Sequence, residues 1–131
     1  MKQPGFTFGK SEKLCSRKII DRLFDQGEAF MAFPLRVQFM PAELPEMVPV
    51  QAMFSASKRR FKRAVKRNLL KRRMREAYRL NKQPLLDVLK AKDVQLGVAF
   101  LFVSKEELNY QTIEKAMKKA IQKLVAEMER R

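Results

Sequence analysis

The sequence predicts an α+β domain, a small sheet with packed helices in the order α-β-β-α-α-β-α. Three observations lead there. Two stretches, Phe33 to Met40 and Val50 to Ser57, alternate apolar and polar residues with period two, as half-buried strands do. Several others hold apolar residues at helical spacing between start and stop signals. The chain has 131 residues, 46% of them hydrophobic, which suits one core and one domain over 1–131. Few strands and several helices place helices on a small sheet.

Residues 1–10 contain Pro4, Gly5 and Gly9 and read as an irregular N-terminal arm. Ser16 is a good N-cap and Gly27 a good stop, so the segment between them is a short helix. Its Ile19, Ile20, Leu23 and Phe24 form one wide apolar stripe. In the first strand Leu35, Val37 and Phe39 alternate with Arg36, Gln38 and Met40. Pro41, Pro45 and Pro49 then mark a loop that no helix or strand interior would tolerate. In the second strand Val50, Ala52, Phe54 and Ala56 alternate with Gln51, Met53, Ser55 and Ser57. Arg60 to Leu80 has no Gly or Pro and is dense in helix formers, which predicts a long helix. Pro84 opens a shorter one to Ala91. Val94 to Val103 is a strand with few polar residues, expected to be covered on both faces. Asn109 can cap a last helix from Tyr110 to about Glu129, whose Ile113, Ala116, Met117, Ala120, Ile121 and Leu124 keep helical spacing.

Composition removes several classes of function. The chain has no His, so His-dependent triads and His-ligated metal or haem sites are excluded. Cys15 is the only cysteine, so there is no intrachain disulfide and no Cys-cluster metal site; it is expected to be a small core residue. The apolar run Gly97 to Val103 is far shorter than the ~18 residues a membrane helix needs, so the expected location is the cytoplasm. Four Asp residues form no metal pair, and no phosphate-binding Gly loop is present. Neither a His nor a carboxylate cluster is available to activate water, so this chain is expected to supply no catalytic residue and to ligate no metal.

Charge is the strongest signal. Lys plus Arg number 29 against 14 acids, a net charge of +15. Lys58 to Arg79 alone holds twelve basic residues and one acid, Glu76. At 100° per residue Arg60, Arg67, Lys71 and Arg75 share one side of the long helix, with Asn68 beside them, while Leu70, Met74 and Ala77 anchor another side. Ordinary solvated faces mix signs, and this one does not. A row of cations with a directional amide suits a run of phosphates, so nucleic acid is the expected partner. A membrane surface would want an apolar face opposite the charge, but Lys66, Arg72 and Arg73 interrupt it.

The residues that narrow this further are Ser55-Ala56-Ser57-Lys58, then Ala64 to Arg72 (Ala-Val-Lys-Arg-Asn-Leu-Leu-Lys-Arg), then Arg75-Glu76-Ala77-Tyr78-Arg79. This pattern resembles the protein component of bacterial ribonuclease P, whose signature is a strand ending Ser-x-Ser/Ala-Lys, a basic loop and a helix with Arg-Asn-Arg-x-Lys-Arg. The element order is similar along nearly the whole chain. Two departures stand out. Leu69 replaces the second Arg of that motif, and the loop Lys58 to Arg63 is about one residue longer and more basic, with Lys62 where a Gly is common.

The resemblance implies a left-handed βαβ crossover similar to one ribosomal-protein domain. It implies a partner RNA that is the catalyst and binds Mg2+, with precursor tRNA as substrate and no obligate protein partner or membrane. It implies contacts to that RNA from Lys58, Arg59, Arg60, Arg63, Arg67, Asn68, Lys71, Arg72 and Arg75. It also implies a site for the single-stranded 5′ leader of precursor tRNA at Ile20, Phe24, Arg36, Gln38, Ser55 and Ser57. The alternatives are a ribosomal or RNA-chaperone-like protein without a catalytic complex, and a DNA-binding domain.

Overall fold

The computed structural model describes residues 8–131. Four helices and four strands follow one another as α1 (Arg17–Gln26), β1 (Glu28–Ala32), β2 (Leu35–Pro41), β3 (Val50–Ala56), α2 (Ala64–Asn81), α3 (Gln83–Lys92), β4 (Leu96–Phe102) and α4 (Tyr110–Arg130). The α+β class stands, with one strand more than the sequence pattern suggests. Glu28–Ala32 forms a hairpin with β2, and Phe33, expected at the start of a strand, lies in the connecting turn. The strand pattern is weak there because β1 is an edge strand that buries only Ala32 fully.

The sheet order is β1-β2-β4-β3; β1–β2 and β2–β4 are antiparallel, and β3–β4 is parallel. A parallel pair cannot be closed by a tight turn, and here α2 and α3 make the crossover. Leu35, Val37, Phe39, Val50, Ala52, Leu96, Val98, Phe100 and Phe102 point to one face, where they form the main core with Leu70, Met74, Ala77 and Tyr78 of α2, Leu85 and Leu89 of α3, and the apolar stripe of α4. Phe54 stacks on Phe100 at 5.5 Å between ring centroids, and Tyr78 of α2 meets both rings edge-on or tilted. A smaller core of Leu14, Ile19, Leu23, Leu44 and Ala99 sits on the opposite face, under α1.

The capping signals act as read. Ser16 Oγ accepts from the Ile19 amide at 3.3 Å, and Asn109 Oδ1 accepts from the Thr112 amide at 2.9 Å. The Gly27 amide donates to the Leu23 carbonyl and closes α1. A side chain would not fit at Gly27, since a Cβ would sit 2.3 Å from that same carbonyl oxygen. Gln95 holds the proline loop: its Oε1 accepts from the Leu44 amide at 2.9 Å, and its Nε2 donates to the carbonyls of Glu46 and Val48.

Three expectations need correction. The long helix begins at Ala64, not Arg60; residues 58–63 form a turn because Phe61 folds inward, 8% exposed, against Phe102. Cys15 is exposed, since Leu14 and Ile19 fill the small core on either side of it. The expected irregular arm lies partly outside the described residues; within them, Lys10–Glu12 is a 3-10 turn, and Phe8 packs edge-on against Phe54 and Tyr78.

Candidate nucleic-acid interface

Helix α2 buries Leu70, Met74, Ala77 and Tyr78, so its opposite side and both flanks carry mostly charged residues, with Val65 and Leu80 exposed among them. Those cations divide by what they touch. On the flank toward α4, Lys66 Nζ lies 2.5 Å and Arg73 Nη1 3.1 Å from the Glu107 carboxylate, and Arg73 also donates to the Leu108 carbonyl. The two cations hold the Glu107 carboxyl below its ordinary value by hydrogen-bonding its ionised form. Arg79 pairs with Glu76 one turn earlier and lowers that carboxyl in the same way. Tyr110 at the head of α4 donates to Glu114, and burial with that carboxylate pushes its hydroxyl up to about 12.

On the other side Lys71, Arg72 and Arg75 carry no ion pair among the described residues, and Asn68 is exposed beside them. Lys58, Arg59, Lys62 and Arg63 in the preceding turn are likewise exposed and unpaired. Arg67 is half-buried and has a structural task as well: its Nη1 donates to the carbonyls of Phe61 and Lys62, at 2.7 and 2.8 Å, and pins the turn to the helix. Arg60 does not continue the helical row, because it lies before the helix and donates to the Val103 carbonyl. Hydrogen bonds to neutral carbonyls leave both guanidinium charges uncompensated.

The second candidate region is the sheet face that α1 only partly covers. Register places residues in rows across it. Gln51, Gly97 and Met40 form the row under α1; a Cβ on Gly97 would come within 3.6 Å of Ile19. Met53, Ala99, Gln38 and Ala29 form the next, in which Ala99 and Gln38 are buried. Ser55, Leu101, Arg36 and Met31 form the third and most open, with Arg36 and Met31 exposed. Ile20 and Phe24, one turn apart on α1, border this face; Ile20 is half-buried in the small core and Phe24 is 42% exposed. Ser57 lies just beyond β3, and its Oγ accepts from the Arg59 amide, which joins the sheet to the basic turn. Of the six leader residues expected from the resemblance, Phe24 and Arg36 are open to solvent, Ile20, Ser55 and Ser57 are half-buried, and Gln38 is only 7% exposed. Met31 and Leu101 share the open row and were not singled out by sequence; the hairpin that brings Met31 there was not legible.

Among the described residues no three His, Cys, Asp or Glu side chains gather where they could hold a metal ion, and no helix is long and apolar enough to cross a membrane.

Fold and charge together define a small α+β protein whose crossover helix carries several exposed or half-buried cations with no acidic partner among the described residues. The comparisons with known proteins sharpen this. The family model for Ribonuclease P matches residues 8–125. The chain is 42% identical over 118 residues to the ribonuclease P protein component of Porphyromonas gingivalis, covering 90% of this chain and 86% of that one. It is 37% identical over 93 residues to the corresponding component of Chlorobaculum tepidum, covering 66% and 60%. In fold it is similar to the RNase P protein of Thermotoga maritima, with a TM-score of 0.67 and 19% identity, covering 86% of this chain and 96% of that one. The chain belongs to the ribonuclease P protein family and acts as a protein component of that endoribonuclease. Nothing favours a ribosomal or RNA-chaperone role.

Proposed function

We propose that this chain grips the catalytic RNA of ribonuclease P through α2 and the turn before it, and holds the 5′ leader of precursor tRNA against the open sheet face. Lys58, Arg59, Arg63, Lys71, Arg72 and Arg75 meet phosphates; Asn68 adds a directional hydrogen bond; Arg67 and Arg60 keep the turn in place and lend charge. Ile20 and Phe24 offer apolar surface to bases, while Arg36 tracks the backbone and Ser55 and Ser57 line the way to it. The observation that carries the reading is the division of cations on α2: Lys66 and Arg73 toward α4 share the Glu107 carboxylate, while Lys71, Arg72 and Arg75 have no acidic partner among the described residues.

The chemistry belongs to the RNA in this reading. Mg2+ bound mainly by that RNA supplies the activated water, and the protein contributes affinity and position. The test is reconstitution of the chain with a ribonuclease P RNA, precursor tRNA and Mg2+. The complex is expected to release the leader, and the protein without its RNA to cleave nothing; stoichiometric cleavage by the protein alone would overturn the assignment of chemistry. Pull-down and sequencing of bound RNA should return ribonuclease P RNA; ribosomal RNA in its place would return the ribosomal alternative.

A further inference from the structure

Large apolar side chains left in water need a reason when they gather. Phe24, Met31 and Phe33 are 42%, 45% and 67% exposed; Met31 lies on the sheet face opposite the main core, Phe24 on the helix that partly covers that face, and Phe33 in the turn just after Met31's strand. We propose that the tip of the β1–β2 hairpin, Met31 and Phe33 with Arg36, is a second single-strand platform that takes the leader nucleotides farthest from the cut. The proposal rests on the leader reading above and extends it.

Direction follows from topology. The row Ser55, Leu101, Arg36, Met31 crosses three strand gaps, roughly 14 Å at about 4.8 Å each. Its Ser55 end adjoins the basic turn, through Ser57 and Arg59, and so lies nearest the cations assigned to the catalytic RNA. Nucleotides next to the cut therefore lie at that end, and nucleotides further upstream run toward Met31. Beyond Met31 the chain turns at Phe33, whose ring is mostly in solvent. An aromatic ring stacks on any base, and a thioether offers a soft surface beside it. Arg36 sits directly across from Met31, where a guanidinium meets the phosphate between two stacked bases. Lys123 Nζ donates to the Met31 carbonyl at 3.0 Å and lies over the Phe30 ring, so it fixes the hairpin edge from the α4 side. An apolar pair with a guanidinium beside it suits single-stranded RNA better than an apolar protein surface.

The experiment uses the reconstituted holoenzyme and precursor tRNAs whose leaders grow one nucleotide at a time, with mature tRNA as the zero point. Wild type, Phe24→Ala, Phe33→Ala and Phe33→Trp are compared by affinity. Phe33→Ala is expected to match wild type on short leaders and to lose roughly 5-fold or more on long ones, the value of one stacked base. Phe33→Trp should retain the gain, and Phe24→Ala should lose affinity on leaders long enough to reach α1 while leaving mature tRNA unaffected. If Phe33→Ala tracks wild type at every length while Phe24→Ala does not, the hairpin platform is wrong and the leader face stands. If both track wild type, the leader face falls too. A Phe33→Ala loss as large on mature tRNA as on long leaders also overturns the platform.

Discussion

Intramolecular pairing should decide which cations of α2 meet RNA. The perturbation is a matched pair of double variants on one helix. Lys71→Ala with Arg75→Ala removes two cations that have no anion among the described residues. Lys66→Ala with Arg73→Ala removes two that share Glu107. Arg67 is the wrong choice, because it also pins the turn through the Phe61 and Lys62 carbonyls. Each lost phosphate contact flattens log K against log salt by roughly 0.7 to 0.9, so the first variant should lose roughly 1.4 to 1.8 of slope. Between about 50 and about 200 mM salt its affinity should then fall roughly 7- to 12-fold less than that of wild type. The second variant should keep a slope close to wild type. The assay is a filter-binding or fluorescence titration against the ribonuclease P RNA at several salt concentrations. A wild-type slope for the first variant, or an equal loss for the second, would refute the idea that Glu107 withdraws Lys66 and Arg73 from the interface.

Three further outcomes are expected. Gly27→Ala should destabilise the chain by about 1 to 3 kcal/mol in urea denaturation, because the new methyl meets the Leu23 and Phe39 carbonyl oxygens and α1 must shift. Glu12→Gln should destabilise the chain in the same assay, since Glu12 is ion-paired to Lys82, whose side chain is only 2% exposed; a loss within error would show that this pair adds nothing to stability. The Glu107 carboxyl is held below 4.5 in the folded chain, so the stability it contributes is present above that pH and is lost as pH falls through the lowered value. The stability gap between wild type and Glu107→Gln should therefore close in acid; a gap independent of pH would show that the ion pairs add nothing.

Where sequence and structure agree, the signal is local. Ser16, Gly27 and Asn109 set helix ends through atoms within four residues, and the strand alternation of β2 and β3 needs only neighbours. The excess of cations on α2 is legible because a run of one sign is visible in any window. What is not legible depends on distance along the chain. Glu107 lies 34 and 41 residues from the two cations it pairs with, so no local window marks Arg73 and Lys66 as spoken for. The helix start moved because Phe61 found Phe102 across the sheet, and β1 escaped notice because an edge strand with one fully buried residue leaves hardly any periodicity.

The two cores differ in size, and this has a dynamic consequence. Helices α2, α3 and α4 share one continuous core with all four strands, whereas α1 is held by Ile19, Leu23 and a few partners on the opposite face. Local opening costs least where fewest apolar groups are buried. Amides of α1 should therefore exchange with deuterium well before those of α4, without the rest of the chain unfolding. That makes the wall carrying Ile20 and Phe24 a yielding jaw set against an unyielding floor. In the leader site proposed above, a jaw of that kind would admit purines and pyrimidines alike.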